Sequence, residues 1–429
     1  MDCLQSGSRH GFKIDEETTI NSLLYADDLV IFSTSKDELQ AKLNSLNDYT
    51  SQWRLQVNMK KSKTICIDSK ENVKFSFNGQ YLENTDSYTY LGVNISKKGF
   101  QNSAYELAMK AQKAWYSLKY TLISQKVKDV STVLHLFDTR IKPIITYGSE
   151  IWGSRFNSRN IFNLSSKSEN IQIQCARWVL SVGRYCSNLG ILGELGRLPI
   201  LHSIKINVIK YLIHLENLTD KTRLLYKVYQ YAKQNKTGWF QYATDCIKVL
   251  NIKTNITSLA TKSLKASFIE KVKKKSYNIF NEQWKQNITK GTKKIKSKLR
   301  TYATFKKSIG LEKYLIETTD ISLRQTFTKL RLSNHKLEIE SGRYKNIDAS
   351  KRFCTQCSSL PKQIEDEFHF VMVCAKHKKL RLELFSKISK SSNKFSKMNQ
   401  KQKFDHIMNY KSNLNDILFF LKSAYDNRN

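Results

Sequence analysis

The sequence predicts an α+β fold: a small sheet first, then mostly helices, then a compact cysteine-bearing tail. Three observations lead there. Before residue 100, short apolar runs alternate with turn residues, which is the spacing of strands. Beyond residue 100, apolar residues recur at helical intervals, and the whole 429-residue chain holds only three prolines and 15 glycines. Near the C-terminus, three of the eight cysteines fall between Cys354 and Cys374. The segments divide at 1–100, 101–160, 161–320 and 321–429.

Charge separates the first third from the rest. The chain carries 72 Lys and Arg against 37 Asp and Glu, a net of +35. Residues 1–150 hold 19 basic and 17 acidic side chains, and residues 151–429 hold 53 and 20, so the nets are +2 and +33. Like charge on that scale opposes compaction, and an anionic partner answers it. No apolar stretch of about 18 residues predicts a membrane span. The N-terminus lacks the basic-then-apolar order of a secretory signal, and five scattered cysteines do not make a disulfide framework. The expected setting is intracellular and reducing, nucleus or cytoplasm. A basic membrane-surface protein fits less well, because aromatics are interleaved with the lysines.

The first element is a hairpin. Ile20–Leu24 and Leu29–Phe32 are apolar runs flanking Ala26-Asp27-Asp28. Asp is common in turns, but two adjacent carboxylates enclosed by apolar strands repel each other. At a buried tip they would need a cation to stay ionised. Ser35-Lys36-Asp37-Glu38 then has the capping-box pattern, and Leu39, Leu43, Leu46 and Trp53 follow on one helical face with Lys42 off it. Leu55-Gln56-Val57 and Thr64-Ile65-Cys66-Ile67 read as strands around a polar loop, where Lys60, Lys61 and Lys63 are candidates for phosphate contact. Tyr88–Ile95 reads as strand–turn–strand, with Gly92 permitting close backbone approach.

Residues 102–142 are predicted helical, with Tyr105, Leu107, Ala108, Ala111, Ala114, Trp115 and Leu118 on the apolar face. Pro143–Gly153 breaks the pattern. Ile171–Leu180 and Ile200–Leu218 are helical in period, and Gly190–Pro199 is expected as a loop between them. Residues 262–307 hold 15 Lys or Arg and only Glu270 and Glu282 as acids, with Phe268, Tyr277, Phe280, Trp284, Tyr302 and Phe305 interleaved. Such a tract suits a nucleic-acid groove, where cations meet phosphates and rings stack on bases; it equally suits helices with an aromatic core and solvent-facing lysines. Lys273, Lys274, Lys275, Lys293, Lys294, Lys296, Lys298 and Arg300 are the candidate phosphate contacts, and Lys273–Lys275 also has the form of a nuclear signal.

Arg324–Ser333 reads as a basic helix. After it, Cys354, Cys357, His369 and Cys374 have the spacing C-x2-C-x11-H-x4-C. Thiolate and imidazole suit tetrahedral Zn2+, and four protein ligands leave no open position, which makes the site structural. His377 competes as fourth ligand; His369 is preferred because Phe368 and Phe370 flank it as in a packed helix. Glu365 and Asp366 read as supporting or surface groups.

Leu24-Tyr25-Ala26-Asp27-Asp28, then a helix, then Trp53-x-Leu55, Asn58-x-x-Lys61-Ser62 and Tyr90-Leu91-Gly92, together resemble the reverse transcriptases of non-LTR (LINE-type) retrotransposons. The cysteine tail and the Leu330–His335 run before it resemble the C-terminal end of the same proteins. The resemblance implies a partial palm sheet with a primer-grip segment, a helical thumb and connector, and a zinc-knuckle-like module. It implies RNA-directed DNA polymerisation with RNA, RNA–DNA hybrid or target DNA as partner, and two Mg2+ ions as cofactors beside the structural Zn2+. Asp27 and Asp28 would be the Mg2+ ligands and Lys61 the lysine near the leaving pyrophosphate. Tyr25 and Ala26 would shape the turn at the primer end, and Tyr90, Leu91 and Gly92 the grip. The family uses another catalytic Asp on an upstream strand. Asp2 and Asp15 are the only aspartates before Tyr25, and neither follows an apolar strand. The expectation is therefore an N-terminally incomplete protein, inactive alone. The alternative is a non-catalytic nucleic-acid-binding protein that keeps the palm remnant as scaffold.

Overall fold

The computed structural model describes residues 11–67, 73–100, 102–159, 164, 166–253, 256–259, 261–290, 298–357 and 361–428. The chain forms two compact units, Met1–Leu107 with Thr146–Asn160 and Ser203–Val272, and Ala108–Ile145 with Ile161–His202 and Lys273–Asn429. Helix and strand are mixed, and helix dominates.

The first unit opens with β1 (Phe12–Lys13) and β2 (Thr19–Ile20), then β3 (Ser22–Tyr25) and β4 (Asp28–Ile31). Helix α1 (Lys36–Gln52) follows, with β5 (Lys63–Thr64), β6 (Ser76–Phe77), β7 (Gln80–Tyr81), β8 (Glu83–Asn84), β9 (Ser87–Tyr90) and β10 (Val93–Ser96) after it. Every sheet among the described residues is two-stranded; β5 and β8 pair parallel and the others antiparallel. A small core forms where Leu43 of α1 meets Phe75 and Phe77, with Leu39, Leu46, Ile31 and Val57 around them. Each such side chain contributes about 1.5–3 kcal/mol on burial.

Five readings change here. Ser35 is the N-cap of α1 but its side chain makes no cap bond. Glu38 is engaged elsewhere, accepting from Ser33 Oγ at 2.9 Å and pairing with Lys42 at 2.9 Å, so the box cannot close. Lys42, expected off the face, is buried, because its ammonium donates to Phe32 O and Asn21 Oδ1. Trp53, expected on the apolar face, is the C-cap and is exposed. The strand at Leu55–Val57 does not form. Arg54 takes a left-handed backbone (φ 54°), Leu55 N–H reaches Thr50 O and Arg54 N–H reaches Ser51 O, so the chain turns back in a Schellman closure. Val57 packs on the core without a ladder partner. The strand expected over Thr64–Ile67 is confined to Lys63–Thr64.

Helices α2 (Ser103–Ser124), α3 (Val130–Leu136), α4 (Lys142–Thr146) and α5 (Ser149–Trp152) follow. Tyr105 of α2 is exposed, while Ala108, Ala111 and Trp115 are buried as expected. Pro143 does not end the helical path. Residues Phe137–Ile141 widen into a π turn in which Lys142 N–H bonds Phe137 O, and α4 runs through Pro143. In the rest of the first unit, α9 (Leu224–Gln234) and α10 (Gly238–Val249) join part of α8 (Ile200–Glu216).

The second unit is helical: α6 (Lys167–Leu180), α7 (Asn188–Leu195), the latter part of α11 (Lys262–Lys290), α12 (Tyr302–Phe305), α13 (Tyr314–Glu317), α14 (Ile321–Arg331), α15 (Glu338–Tyr344), α16 (Lys378–Ser391), α17 (Gln400–Met408) and α18 (Leu414–Asp426). The expected loop at Gly190–Pro199 is largely helix α7. Its glycines serve close packing: a Cβ on Gly193 would lie 2.6 Å from Trp284 Cζ2 and from the Tyr302 hydroxyl. Helix α14 forms as predicted, yet its arginines are not a basic surface. Arg331 is fully buried, held by Glu194 at 2.8 Å and ringed by Phe305, Tyr314, Phe327 and Tyr410. Arg324 is spent on the carbonyls of Thr318 and Lys128.

Candidate metal centre and carboxylate hairpin

The carboxylate pair sits at the tip of the β3–β4 hairpin. Tyr25 pairs with Asp28 as the last rung, leaving Ala26 and Asp27 as a two-residue turn. Ala26 adopts φ 55°, a left-handed conformation that costs a residue with a Cβ about 1–2 kcal/mol. Leu24, Tyr25, Ala26, Asp27 and Asp28 are exposed, so the tip is not the buried one that the apolar flanks suggested. The strand edges have no further sheet neighbour among the described residues. Nor, among the described residues, does a third carboxylate join the pair there to form a cluster. Asp15 is used locally, accepting from Glu17 N–H at 3.0 Å and Thr18 N–H at 2.6 Å.

The second hairpin, β9–β10, turns through Leu91 (φ 47°) and Gly92 (φ 82°), the two left-handed positions of a type I′ turn. Gly92 also admits Tyr147, whose ring would lie 2.9 Å from a Cβ and whose hydroxyl donates to Leu91 O at 3.0 Å. The close approach expected at this glycine is thus made by a tyrosine of the same unit. Tyr90 adjoins the carboxylate tip: burial, and then the charge of Asp28, push its phenol above the ordinary range. Tyr90 therefore lies within range of the Asp28 charge.

Asn58 explains itself locally. Its carbonyl accepts from Lys61 N–H, Ser62 N–H and Ser62 Oγ, and its Oδ1 accepts from Lys61 N–H at 3.1 Å. The turn presents Lys60 and Lys61 to solvent. Lys63 is different, since it is paired with Glu83.

In the second unit, Cys354, Cys357, His369 and Cys374 place their ligand atoms within 4.8 Å of one another, the one cluster of three or more metal-ligating side chains among the described residues. Two local structures bring them together. Cys354 N–H bonds Gln363 O and Glu365 N–H bonds Arg352 O, which closes a short ribbon holding the first pair. Asp366 Oδ1 accepts from His369 N–H and starts the helical turn that carries His369, and Cys374 N–H returns to His369 O. Gln363 Oε1 lies 3.1 Å from His369 Nδ1, which leaves Nε2 facing Cys357 Sγ at 3.6 Å. A fixed imidazole of this kind is the usual support of a metal ligand. Burial lowers the His369 pKa, which keeps the ring neutral, and pushes the Cys354 thiol up to about 12. Only a cation would hold these thiols as thiolates, so the donor set fits Zn2+. His377 lies outside the four; it packs edge-on to Phe370, and burial first lowers its pKa to about 4.

Behind this centre stand Glu365, expected from the sequence as a supporting or surface group, and Glu367, which spacing does not single out. Glu365 is buried and takes Arg428 and Glu338 N–H. Glu367, also buried, takes Arg300, Thr301, Ser333 and His335. Burial would raise its pKa, but His335 and Arg300 outweigh burial and hold it far below the usual range. That accounts for Leu330–His335 as core rather than as a basic surface.

The basic tract splits. Phe268, Phe280, Trp284, Tyr302 and Phe305 are buried, so these rings are core and cannot stack on bases. Lys273, Lys274 and Lys275 are exposed. Arg300 is consumed by Glu340 and Glu367, and Lys298 lies 3.8 Å from Glu340, so neither is a free phosphate contact. Lys293, Lys294 and Lys296 lie outside the described residues. No described helix is long and apolar enough to cross a membrane.

Comparison with known proteins agrees with the first unit's hairpins. Residues 8–95 match the family model of reverse transcriptase (RNA-dependent DNA polymerase), and the match includes both hairpins. A stretch of 138 residues, 31% of this chain, is 26% identical to an uncharacterized transposon-derived protein of Caenorhabditis elegans, covering 49% of that protein. The chain thus matches about half the length of that curated relative.

Proposed function

We propose that this chain is a reverse-transcriptase-like protein of non-LTR retrotransposon descent that binds RNA or RNA–DNA hybrid and does not polymerise DNA alone. The observation that carries the proposal is the Asp27-Asp28 turn at the tip of the β3–β4 hairpin, with Tyr90 of the second hairpin near enough to feel the Asp28 charge and no third carboxylate clustered there among the described residues. Bound divalent ions would supply the charge that stabilises the attacking and leaving oxygens of an in-line displacement. Asp27 and Asp28 would hold one side of such ions, Tyr25 and Ala26 would shape the turn at the primer end, and Tyr90–Gly92 would seat the primer strand. Lys61, outward on its turn, would meet the departing pyrophosphate. The Cys354, Cys357, His369 and Cys374 set would hold structural Zn2+.

The test is primer extension with Mg2+ on an RNA template. The purified chain is expected to bind template-primer and to give no product; product is expected when a second polypeptide supplies the missing carboxylate. Extension by the chain alone that Asp27→Asn abolishes would falsify the proposal. A second reading, a binding protein in which the hairpins are only scaffold, draws on the near-neutral first 150 residues beside a net of +33 in the remainder. It predicts no product even with the second polypeptide.

A further inference from the structure

Two tyrosines in the second unit stand outward side by side where the core offers them no cover. Tyr185 and Tyr344 are 54% and 67% exposed, and their ring centroids lie 6.0 Å apart at 63°. Both are set on anchored backbone. The turn carrying Tyr185 is pinned on one side by Gly183 N–H to Asn334 Oδ1 at 2.9 Å, and on the other by buried Cys186, whose thiol reaches Leu332 O. Tyr344 ends α15, which Gly342 seats against the Arg352 side chain; a Cβ there would lie 2.8 Å from Arg352 Cδ. Arg352 in turn donates to Ile339 O and Ile347 O. The backbone beneath both rings is therefore anchored while the rings themselves stay exposed.

Cations flank them. The Arg184 guanidinium lies 4.6 Å from the Tyr185 centroid and donates to the Tyr185 hydroxyl at 2.6 Å. Lys298 Nζ lies 6.0 Å from the same ring. Outward aromatic rings beside cations are what an unpaired strand requires: ring faces for bases, positive charge for the backbone. A duplex hides its base faces and gains only the charge.

We propose that Tyr185 and Tyr344 form a base-stacking platform for single-stranded nucleic acid, with Arg184 at its phosphate side. The assignment rests on the nucleic-acid-binding reading above and gives it a location. Arg300 and the buried aromatics of residues 262–307 take no part in it.

The test measures binding of a fluorescein-labelled oligouridine, and of its duplex with oligoadenine, to the full-length chain by anisotropy. The Tyr185→Ala/Tyr344→Ala pair should bind the single strand at least about fivefold more weakly per ring lost. The Tyr185→Phe/Tyr344→Phe pair should bind as wild type, because the stacking face is kept. Duplex affinity should be unchanged in both. A strand carrying 2-aminopurine should be quenched by the wild type and the Phe pair and not by the Ala pair, which reads stacking separately from affinity. Single-strand binding by the Ala pair at the wild-type level, with quenching retained, would overturn the platform while leaving nucleic-acid binding intact. Equal losses for single strand and duplex would also overturn it, assigning the surface to charge alone. Failure of the wild type to bind either probe would overturn both this proposal and the reading on which it rests.

Discussion

Glu169 of α6 is fully buried, with its Oε2 accepting from Ile200 N–H at 2.7 Å and its Oε1 from Gln172 Nε2 at 2.8 Å. Burial outweighs these donors and the nearby Arg197, and pushes its carboxyl up to about 7. The sign follows from linkage. Between the ordinary value near 4.5 and about 7, the folded chain binds a proton that the unfolded chain has released, so this group favours folding at low pH and loses that effect as pH rises through 7. The full span is on the order of 3 kcal/mol at about 1.4 kcal/mol per unit. Urea unfolding from pH 4.5 to 7.5 should show this decline, and Glu169→Gln should flatten it. An unchanged slope in the variant would assign the pH response elsewhere.

Among elements, those set by adjacent residues were legible and those set by distant packing were not. The Asp27-Asp28 hairpin, the Leu91-Gly92 turn, α1 and the metal-ligand spacing all follow from residues close together in the chain. Helix α7 was hidden because its glycines read as breakers until Trp284 and Tyr302, about 90 and 110 residues later, are seen to fill the space a Cβ would take. The same holds for Lys42, whose partners Phe32 O and Asn21 flank the β3–β4 hairpin, and for Arg300 and Arg331, whose carboxylates come from elsewhere in the second unit. Gly193→Ala should therefore lower stability by about 1–3 kcal/mol through overpacking, although alanine is the better helix former. Thermal denaturation with Trp fluorescence would show it, and a stabilised variant would contradict the packing. For the metal-binding arm, the expected content is one Zn2+ per chain by elemental analysis. Chelation should lower the melting temperature and increase hydrogen exchange between residues 353 and 374. Cys357→Ser and His369→Ala should lose the metal, while His377→Ala should keep it and lose stability only, since that ring packs on Phe370.

For the whole molecule, the 53 basic side chains of residues 151–429 overstate the cations available to a partner, because folding uses some of them internally. Arg300 and Arg331 are neutralised by buried carboxylates, and the Arg324 guanidinium is taken up in hydrogen bonds to backbone carbonyls. Lys274 and Lys275 are exposed on α11 and remain for phosphate. The two classes of cation should separate in one experiment, the dependence of single-strand affinity on salt. Each phosphate contact contributes about 0.7 to the slope of log affinity against log salt. Lys274→Gln/Lys275→Gln should thus flatten the slope by about 1.4 and leave the unfolding midpoint where it is. Arg300→Gln should do the reverse. It leaves Glu367 without its guanidinium and Glu340 with Arg343 and the more distant Lys298, which costs about 3–5 kcal/mol for a buried pair, and it removes no phosphate contact. A slope that falls with Arg300→Gln in folded protein would show that the buried ion pair opens on binding. A slope unmoved by the lysine pair would place the binding charge on other surface lysines.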